Sequence, residues 1–430
     1  MSRGILLLFL SGIILRLIYL FLTPLGQVPD EPYHFERIYA TAVNMRFPQA
    51  IVSHKIDYQN STYPSPPLFY LAYAVLLVPF LHEPLPPTLT AFVQYGLYLR
   101  FVSFFLSLVT IILVARFTRS LYPKLLSLFL CILLLFPQWT ASSSWVGSDP
   151  LFLLLVTLTL IKSVSLLTRP YTIKSGVLLG IFVGVSLLAK PLGPMLFGGI
   201  EIAILTAKAW QGKRIRALIM FTLTVSLVTG WWYINNYLTT GSFTAAPFVQ
   251  AVVTGYTKPF SFPFYPLALL YFTSATFIGA FGPTNNIHFP VTVYLITSLT
   301  ILFLFFKAWK NRLQLMQNAK HGVLISILLT MTCFAFLQFF IINTTLSFQP
   351  QGRYLYPLFF LFPIIIASAL SHKKSTMIVS LVSCILIGIN LWGIHCISSW
   401  YYKLSFFPLH AGCEYDRVNL PPWEEPLKLQ

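Results

Sequence analysis

Apolar residues run along this chain in long blocks, separated by short polar or basic segments. Blocks long enough to span a bilayer, about 17 to 25 residues, occupy 4–22, 97–116, 121–139, 150–168, 216–237, 289–308, 322–343, 354–371 and 375–397. A longer apolar stretch, 174–208, is interrupted by Lys190, Pro191 and Gly193, and it divides there into two short spans. The pattern predicts an all-α polytopic membrane protein with about 11 transmembrane helices. Two further runs, 67–82 and 264–281, are short or mixed with Pro, Gly, Ser and Thr, so hydropathy alone leaves them open.

Composition agrees with this class. Of 430 residues, 57% are hydrophobic and only 9% are charged, with a mean hydropathy of +0.76. Soluble domains carry roughly 25% charge, and a chain this long could not clothe a soluble core with so few polar groups. Soluble enzymes and disordered proteins are thereby excluded. The formal charge of +17 would suggest nucleic acid in a soluble protein. In a membrane protein it is read first as orientation.

The basic residues fall in clusters between spans: Arg116, Arg119 and Lys124; Arg169 and Lys174; Lys208, Lys213, Arg214 and Arg216; Lys307, Lys310, Arg312 and Lys320; Lys373 and Lys374. If all of them and Arg3 are cytoplasmic, neither 67–82 nor 264–281 can cross, because one crossing would put every later cluster outside. Both then become re-entrant or juxtamembrane helices on the outer face. Ten of the eleven acids fall on that outer side, and the remaining one, Glu201, lies within a span. The expected organisation is a transmembrane domain over 1–397, with outer loops at 23–96 and 238–288 and an outer tail at 398–430. No small-residue cleavage site follows the first span, which is read as retained. Cys396 and Cys413 both fall outside, where an oxidising compartment would bridge them; two free thiols are the alternative. Asn60 and Asn343 begin outer-face glycosylation sequons.

The scarce charges then become informative. Pro29-Asp30-Glu31-Pro32-Tyr33-His34-Phe35-Glu36-Arg37 directly follows the first span. Adjacent carboxylates at a membrane surface are expensive. Pro32 suits the first turn of a helix that would place His34 and Arg37 on one face. A carboxylate here could serve as general base toward a hydroxyl, with His34 or Arg37 near a phosphate; helix capping by Asp30 with a salt bridge to Arg37 is the structural alternative. Asp149, before Pro150, could hold substrate or cap a helix. Lys190 and Arg353 are cations at outer span ends, outside the orientation rule, and suit an anionic headgroup; snorkelling is their alternative. Arg100 could join that cluster. Arg16 and Glu201 lie inside spans and could face the bundle interior.

Walker, zinc, nucleophile-elbow and dinucleotide motifs are all absent from the sequence. No cofactor is indicated and no divalent metal set is evident. Acids and isolated cations converge on the non-cytoplasmic face, an arrangement that suits a membrane-embedded anionic donor such as a polyprenyl-phosphate sugar.

At these residues the chain resembles the glycosyltransferase C superfamily of polytopic lipid-linked sugar transferases, which includes the protein O-mannosyltransferases and the aminoarabinose transferase of lipid A. The nearest likeness is a bacterial branch of predicted membrane proteins. The likeness is carried by Pro29-Asp30-Glu31-Pro32 with His34, Pro66-Pro67-Leu-Phe-Tyr70, Ser148-Asp149, Lys190-Pro191, Gly230-Trp231-Trp232-Tyr233 with Asn236-Tyr237, and Gln351-Gly352-Arg353-Tyr354. It implies an inverting membrane glycosyltransferase in a bacterial inner membrane, acting on the non-cytoplasmic side. Asp30, with Glu31 beside it, would be the base and Asp149 would assist. His34, Arg37, Arg100, Lys190, Arg353 and Tyr354 would bind the donor phosphate or substrate. The partners implied are a polyprenyl-phosphate sugar donor, a glycan, lipid or protein acceptor and membrane lipid, without nucleic acid. The competing reading is a transporter or flippase of lipid-linked sugars, which would require an inverted repeat that the sequence lacks. Reporter fusions at Lys124 and Lys310 test the topology: both are expected to report a cytoplasmic location, and an external location for either breaks it.

Overall fold

The computed structural model describes residues 3–44, 65–81, 89–190, 193–243, 264–282, 285, 287–310, 319–341, 343, 351–369, 375–402 and 413–415. The sequon at Asn60, Pro191, Arg312, Lys373, Lys374 and most of the 398–430 tail lie outside these residues.

The described chain is a helical bundle. Its helices are α1 (Arg3–Leu22), α2 (Glu31–Asn44), α3 (Leu68–Leu77), α4 (Leu89–Leu121), α5 (Leu126–Leu135), α6 (Pro137–Ser142), α7 (Asp149–Leu167), α8 (Ile173–Leu187), α9 (Gly193–Thr206) and α10 (Arg214–Thr240). They continue with α11 (Phe264–Ile278), α12 (Val291–Lys310), α13 (Ala319–Ile341), a 3-10 segment (Gly352–Phe360), α14 (Leu361–Ala369) and α15 (Ser375–Tyr402). Six helices are long and apolar enough to cross a bilayer: Arg3–Leu22, Ala91–Leu121, Asp149–Leu167, Arg214–Thr239, Ala319–Ile341 and Val379–Tyr402. Others are apolar but shorter, among them the two halves of 174–208, which separate at Lys190 into α8 and α9. The run 121–139 divides at Pro137 into α5 and α6. Of the two ambiguous runs, 67–82 holds α3 with a 3-10 turn and 264–281 holds the 15-residue α11.

The division at Pro137 has a cost. Proline has no N–H, so the Leu133 carbonyl one turn earlier loses its helical partner. Phe136 is extended, and the last carbonyls of α5 are left to other donors. Arg16, fully buried on α1, donates to the carbonyls of Leu133 (2.9 Å) and Leu134 (2.7 Å) and to its own Gly12 (3.1 Å). Asn390 of α15 donates to Leu135 at 2.7 Å. Arg16 therefore spends its charge on backbone, while Glu201, on α9, is bonded by Thr222.

Elsewhere small residues let helices approach. Gly176, Gly180 and Gly184 share one face of α8 against α10, where a Cβ on Gly180 would stand 2.5 Å from the Thr224 Cβ. The spacing is the small-residue ridge of membrane helix pairs.

The all-α expectation needs one addition. A three-stranded antiparallel sheet forms in the order β1 (Ala280–Phe281), β2 (Ile287–His288) and β3 (Glu414–Tyr415). Ala280 faces His288 and Ile287 faces Tyr415. The Cys396–Cys413 disulfide, with Cα atoms 5.6 Å apart, joins α15 to the start of β3. The end of α15 also meets the loop after α1, because Tyr401 and Tyr402 donate to the carbonyls of Gln27 and Leu22. Asn343 is buried and its amide donates to the Phe339 carbonyl, which removes it as a glycan acceptor in this fold.

Arg16→Met should cost about 2 kcal/mol or more, because it strips donors from buried carbonyls. Thermal unfolding in detergent checks this, and an unchanged melting temperature would refute the carbonyl role.

Candidate functional site

The adjacent acids Asp30 and Glu31 go to different places. Asp30 has φ +63, the left-handed region that Asp tolerates better than most residues but that still carries a cost of about 1–3 kcal/mol. Glu31 opens α2 with Pro32 in its first turn, as the proline predicts. The reversal at Asp30 turns the two side chains apart. The Glu31 carboxylate is fully buried, while 49% of the Asp30 side chain stays open.

Glu31 is held on all sides. Its Oε1 accepts from Arg100 Nε (2.7 Å) and from the Val146 N–H (3.2 Å); its Oε2 accepts from Arg100 Nη2 (2.6 Å) and the Gly26 N–H (2.9 Å). Arg100, on α4, also donates to the carbonyls of Leu20 (3.0 Å), Thr23 (2.5 Å) and Pro24 (2.9 Å). All five guanidinium N–H groups are thus engaged within the protein. This is not the placement expected of a donor-phosphate ligand, since any phosphate contact would require an existing bond to break.

Asp30 meets a different cation. Its Oδ2 accepts from Arg353 Nη2 at 2.5 Å, and Arg353 Nε donates to Gln351 Oε1 at 2.7 Å. The carboxylate therefore pairs across the fold instead of salt-bridging Arg37. Although half open, Asp30 is surrounded by protein. Burial alone would raise its pKa, but Arg353, with His34 and Lys190 nearby, holds the carboxyl below the usual carboxylate range.

Asp149 is the first residue of α7, and Ser148, not Asp149, occupies its cap position. Its carboxylate is paired with Lys190, and both are buried. Lys190 sits in the turn between α8 and α9, where Ala189 and Lys190 N–H groups still bond the Ser186 carbonyl. Its ammonium lies 5.2 Å from the Tyr354 ring centroid. Burial pulls the lysine pKa down and Asp149 partly opposes that shift. Burial and pairing replace the snorkelling alternative for Lys190; Arg353, with 16% of its side chain open, is likewise drawn inward.

His34 and Arg37 share one face of α2, as their spacing predicts, and that face is covered by Tyr70 of α3. His34 Nδ1 is 3.1 Å from the Tyr70 hydroxyl, and the Arg37 guanidinium carbon lies 4.4 Å from the Tyr70 ring centroid. Burial pushes the His34 pKa down to about 4, despite the opposing pull of Asp30. The imidazole is accordingly neutral near pH 7. Tyr70 belongs to the Pro66-Pro67 run, yet nothing in its sequence context marks it as the common neighbour of His34 and Arg37. Val146 and Gly26, which act through backbone N–H groups, carry no side-chain signal at all.

Six chain segments therefore meet at one end of the bundle: the loop after α1, α2, α3, the start of α7, the α8–α9 turn and residues 351–354. Two acids and two cations meet here, Asp30 with Arg353 and Asp149 with Lys190, while Arg37 stands against the Tyr70 ring beside them. Among the described residues, no group of three or more His, Cys, Asp or Glu side chains is arranged to hold a metal ion. The Gly230-Trp231-Trp232-Tyr233 run lies along α10, with Trp231 turned outward and Trp232 buried.

No protein-family model matches the sequence, and no curated protein matches it. Solved structures do. ArnT from Cupriavidus metallidurans bound to undecaprenyl phosphate superposes with a TM-score of 0.56 at 15% identity, over 94% of this chain and 67% of ArnT. Apo ArnT gives 0.55 at 16%, over 93% and 65%. The oligosaccharyltransferase of Archaeoglobus fulgidus in its apo form gives 0.52 at 12%, over 93% and 57%. The chain spans about two thirds of ArnT and rather more than half of the oligosaccharyltransferase. The fold is thus shared with ArnT and with the oligosaccharyltransferase.

Proposed function

We propose that this protein is a membrane glycosyltransferase that moves a sugar from a polyprenyl-phosphate donor to an acceptor hydroxyl. The observation that carries the reading is the half-open Asp30 carboxylate at the same end of the bundle as Lys190 and Arg353, in a fold shared with ArnT, whose structure holds undecaprenyl phosphate. In this reading Asp30 removes the acceptor proton as the acceptor oxygen attacks the anomeric carbon. The bond from that carbon to the phosphate oxygen breaks, and the electron pair leaves on the lipid phosphate. Lys190 and Arg353 stabilise the departing charge, with inversion at the sugar. A phosphate that draws Arg353 toward itself also loosens its hold on Asp30, which raises the basicity of that carboxylate.

Asp149 keeps Lys190 charged and placed, and Tyr354 lines the cation. Neutral His34 and the Tyr70 hydroxyl offer hydrogen bonds to sugar hydroxyls without adding charge, and Arg37 contributes to the positive field. Glu31 and Arg100, expected from the sequence to take part in the chemistry, support the loop in this reading. The site is proposed to face the non-cytoplasmic side. The Cys396–Cys413 bridge supports that side, because α15 ends beside the Asp30 loop and disulfides persist in oxidising compartments.

Undecaprenyl phosphate should bind the purified protein, raising its melting temperature. Lys190→Met and Arg353→Gln should weaken that binding roughly tenfold or more, as expected when one charge-assisted contact is lost. Asp30→Asn should bind the lipid normally yet lose transfer from a labelled undecaprenyl-phosphate sugar; full transfer by that variant would reject the base. Transport of the intact lipid without transfer would favour the flippase instead.

The pH profile gives a second test. A depressed Asp30 pKa keeps the base ionised into the acid range. Arg353→Gln removes the nearest cation, so the acid limb of residual activity should move to higher pH. A limb that stays in place, or moves lower, contradicts the pairing.

A further inference from the structure

We infer that Glu31 and Arg100 form a positioning strut that imposes the left-handed backbone at Asp30 and sets the distance between the two acids of the site. The inference rests on the transferase reading for its functional part, but its geometry stands alone.

Arg100 collects the carbonyls of Leu20 and Thr23, where α1 ends and helical N–H groups run out, and that of Pro24, which also accepts from the Gln27 N–H. Its other two contacts fix both oxygens of Glu31. Through Glu31 the strut reaches Gly26, itself at φ +78, which closes the loop into a ring from Gly26 to Glu31. Asp30 sits inside this ring, one residue before the anchored Glu31. The remaining bond goes to the Val146 N–H, three residues before Asp149. One ion pair thus ties the Asp30 loop, α4 and the segment leading to Asp149.

Charge, not shape, makes the strut. Each Glu31 oxygen receives two donors. An amide in its place turns an NH2 toward two N–H groups whichever way it is flipped. Glu31→Gln therefore keeps the volume while setting donors against donors. Lys at position 100 keeps the charge but cannot reproduce a two-pronged contact together with three carbonyls.

The test combines stability with activity. The Asp30→Gly protein should melt at least about 2 °C above Asp30→Ala, because only glycine accepts positive φ without strain. If the strut imposes that φ, the gap should shrink by half or more when Glu31→Gln is added to both variants. An unchanged gap overturns the proposal. In the activity arm, Glu31→Gln should lower turnover of a labelled undecaprenyl-phosphate sugar by about 10- to 100-fold. It should leave undecaprenyl phosphate binding within about twofold and the acid limb of the pH profile in place. Complete loss with disappearance of that limb would make Glu31 the base and overturn the proposal. Full turnover would overturn it as well. Arg100→Lys serves as the second variant and should follow Glu31→Gln; failure of both to fold would make the pair a general core contact, again against the proposal. If the wild-type chain neither binds undecaprenyl phosphate nor transfers sugar, the transferase reading fails, and the melting comparison still decides the strut.

Discussion

Backbone carbonyls at helix ends inside a bundle have no water to turn to, and in this protein two buried arginines meet that demand. Arg16 serves the end of α5 and Arg100 serves the end of α1. Everything near the site follows from the second. Because α1 stops under Arg100, the chain can leave the bundle and reverse at Gly26 and Asp30. Because Glu31 neutralises Arg100, the reversal is held by charge in a region where charge is costly. The half-open Asp30 carboxylate is the product of that arrangement.

Charge is used in two distinct ways within a few residues. Glu31 with Arg100 is closed, with every oxygen lone-pair direction and every N–H spent on protein. Asp30 with Arg353, and Asp149 with Lys190, are single contacts whose cations retain other faces. The first kind gives rigidity and the second leaves room for exchange with an anion. Sequence proximity hides this difference, since Asp30 and Glu31 are neighbours with the same functional group.

Much of the architecture was legible because the bilayer punishes polar residues. Hydropathy located the helical blocks, and asking which charges it could not explain brought out the division at Lys190 and the convergence of Asp30, Asp149, Lys190 and Arg353. The runs 121–139 and 354–371, expected as single spans, are instead broken at Pro137 and by the 3-10 segment Gly352–Phe360. The same question grouped Arg100 with the phosphate ligands, because residue type does not reveal how many of its donors are already used. Arg16 reads as a charge within a span, but its partners are carbonyls at the break before Pro137 on another helix, and carbonyls leave no mark in a sequence. The small sheet was missed for a related reason: two-residue strands have no periodicity to detect. Tyr70 belongs to the Pro66-Pro67 motif, yet its contacts with His34 and Arg37 depend on how α3 packs over α2.

The sheet also bears on assembly order. Its central strand, β2, pairs on one side with β1 just before it and on the other with β3, which follows α12, α13, α14 and α15. Strands this short do not persist unpaired. The sheet can therefore be completed only after α15 has formed and Cys413 has reached Cys396. A chain stalled before that point would keep an open edge on β2, so maturation of the sheet is tied to the delivery of residues 413–415.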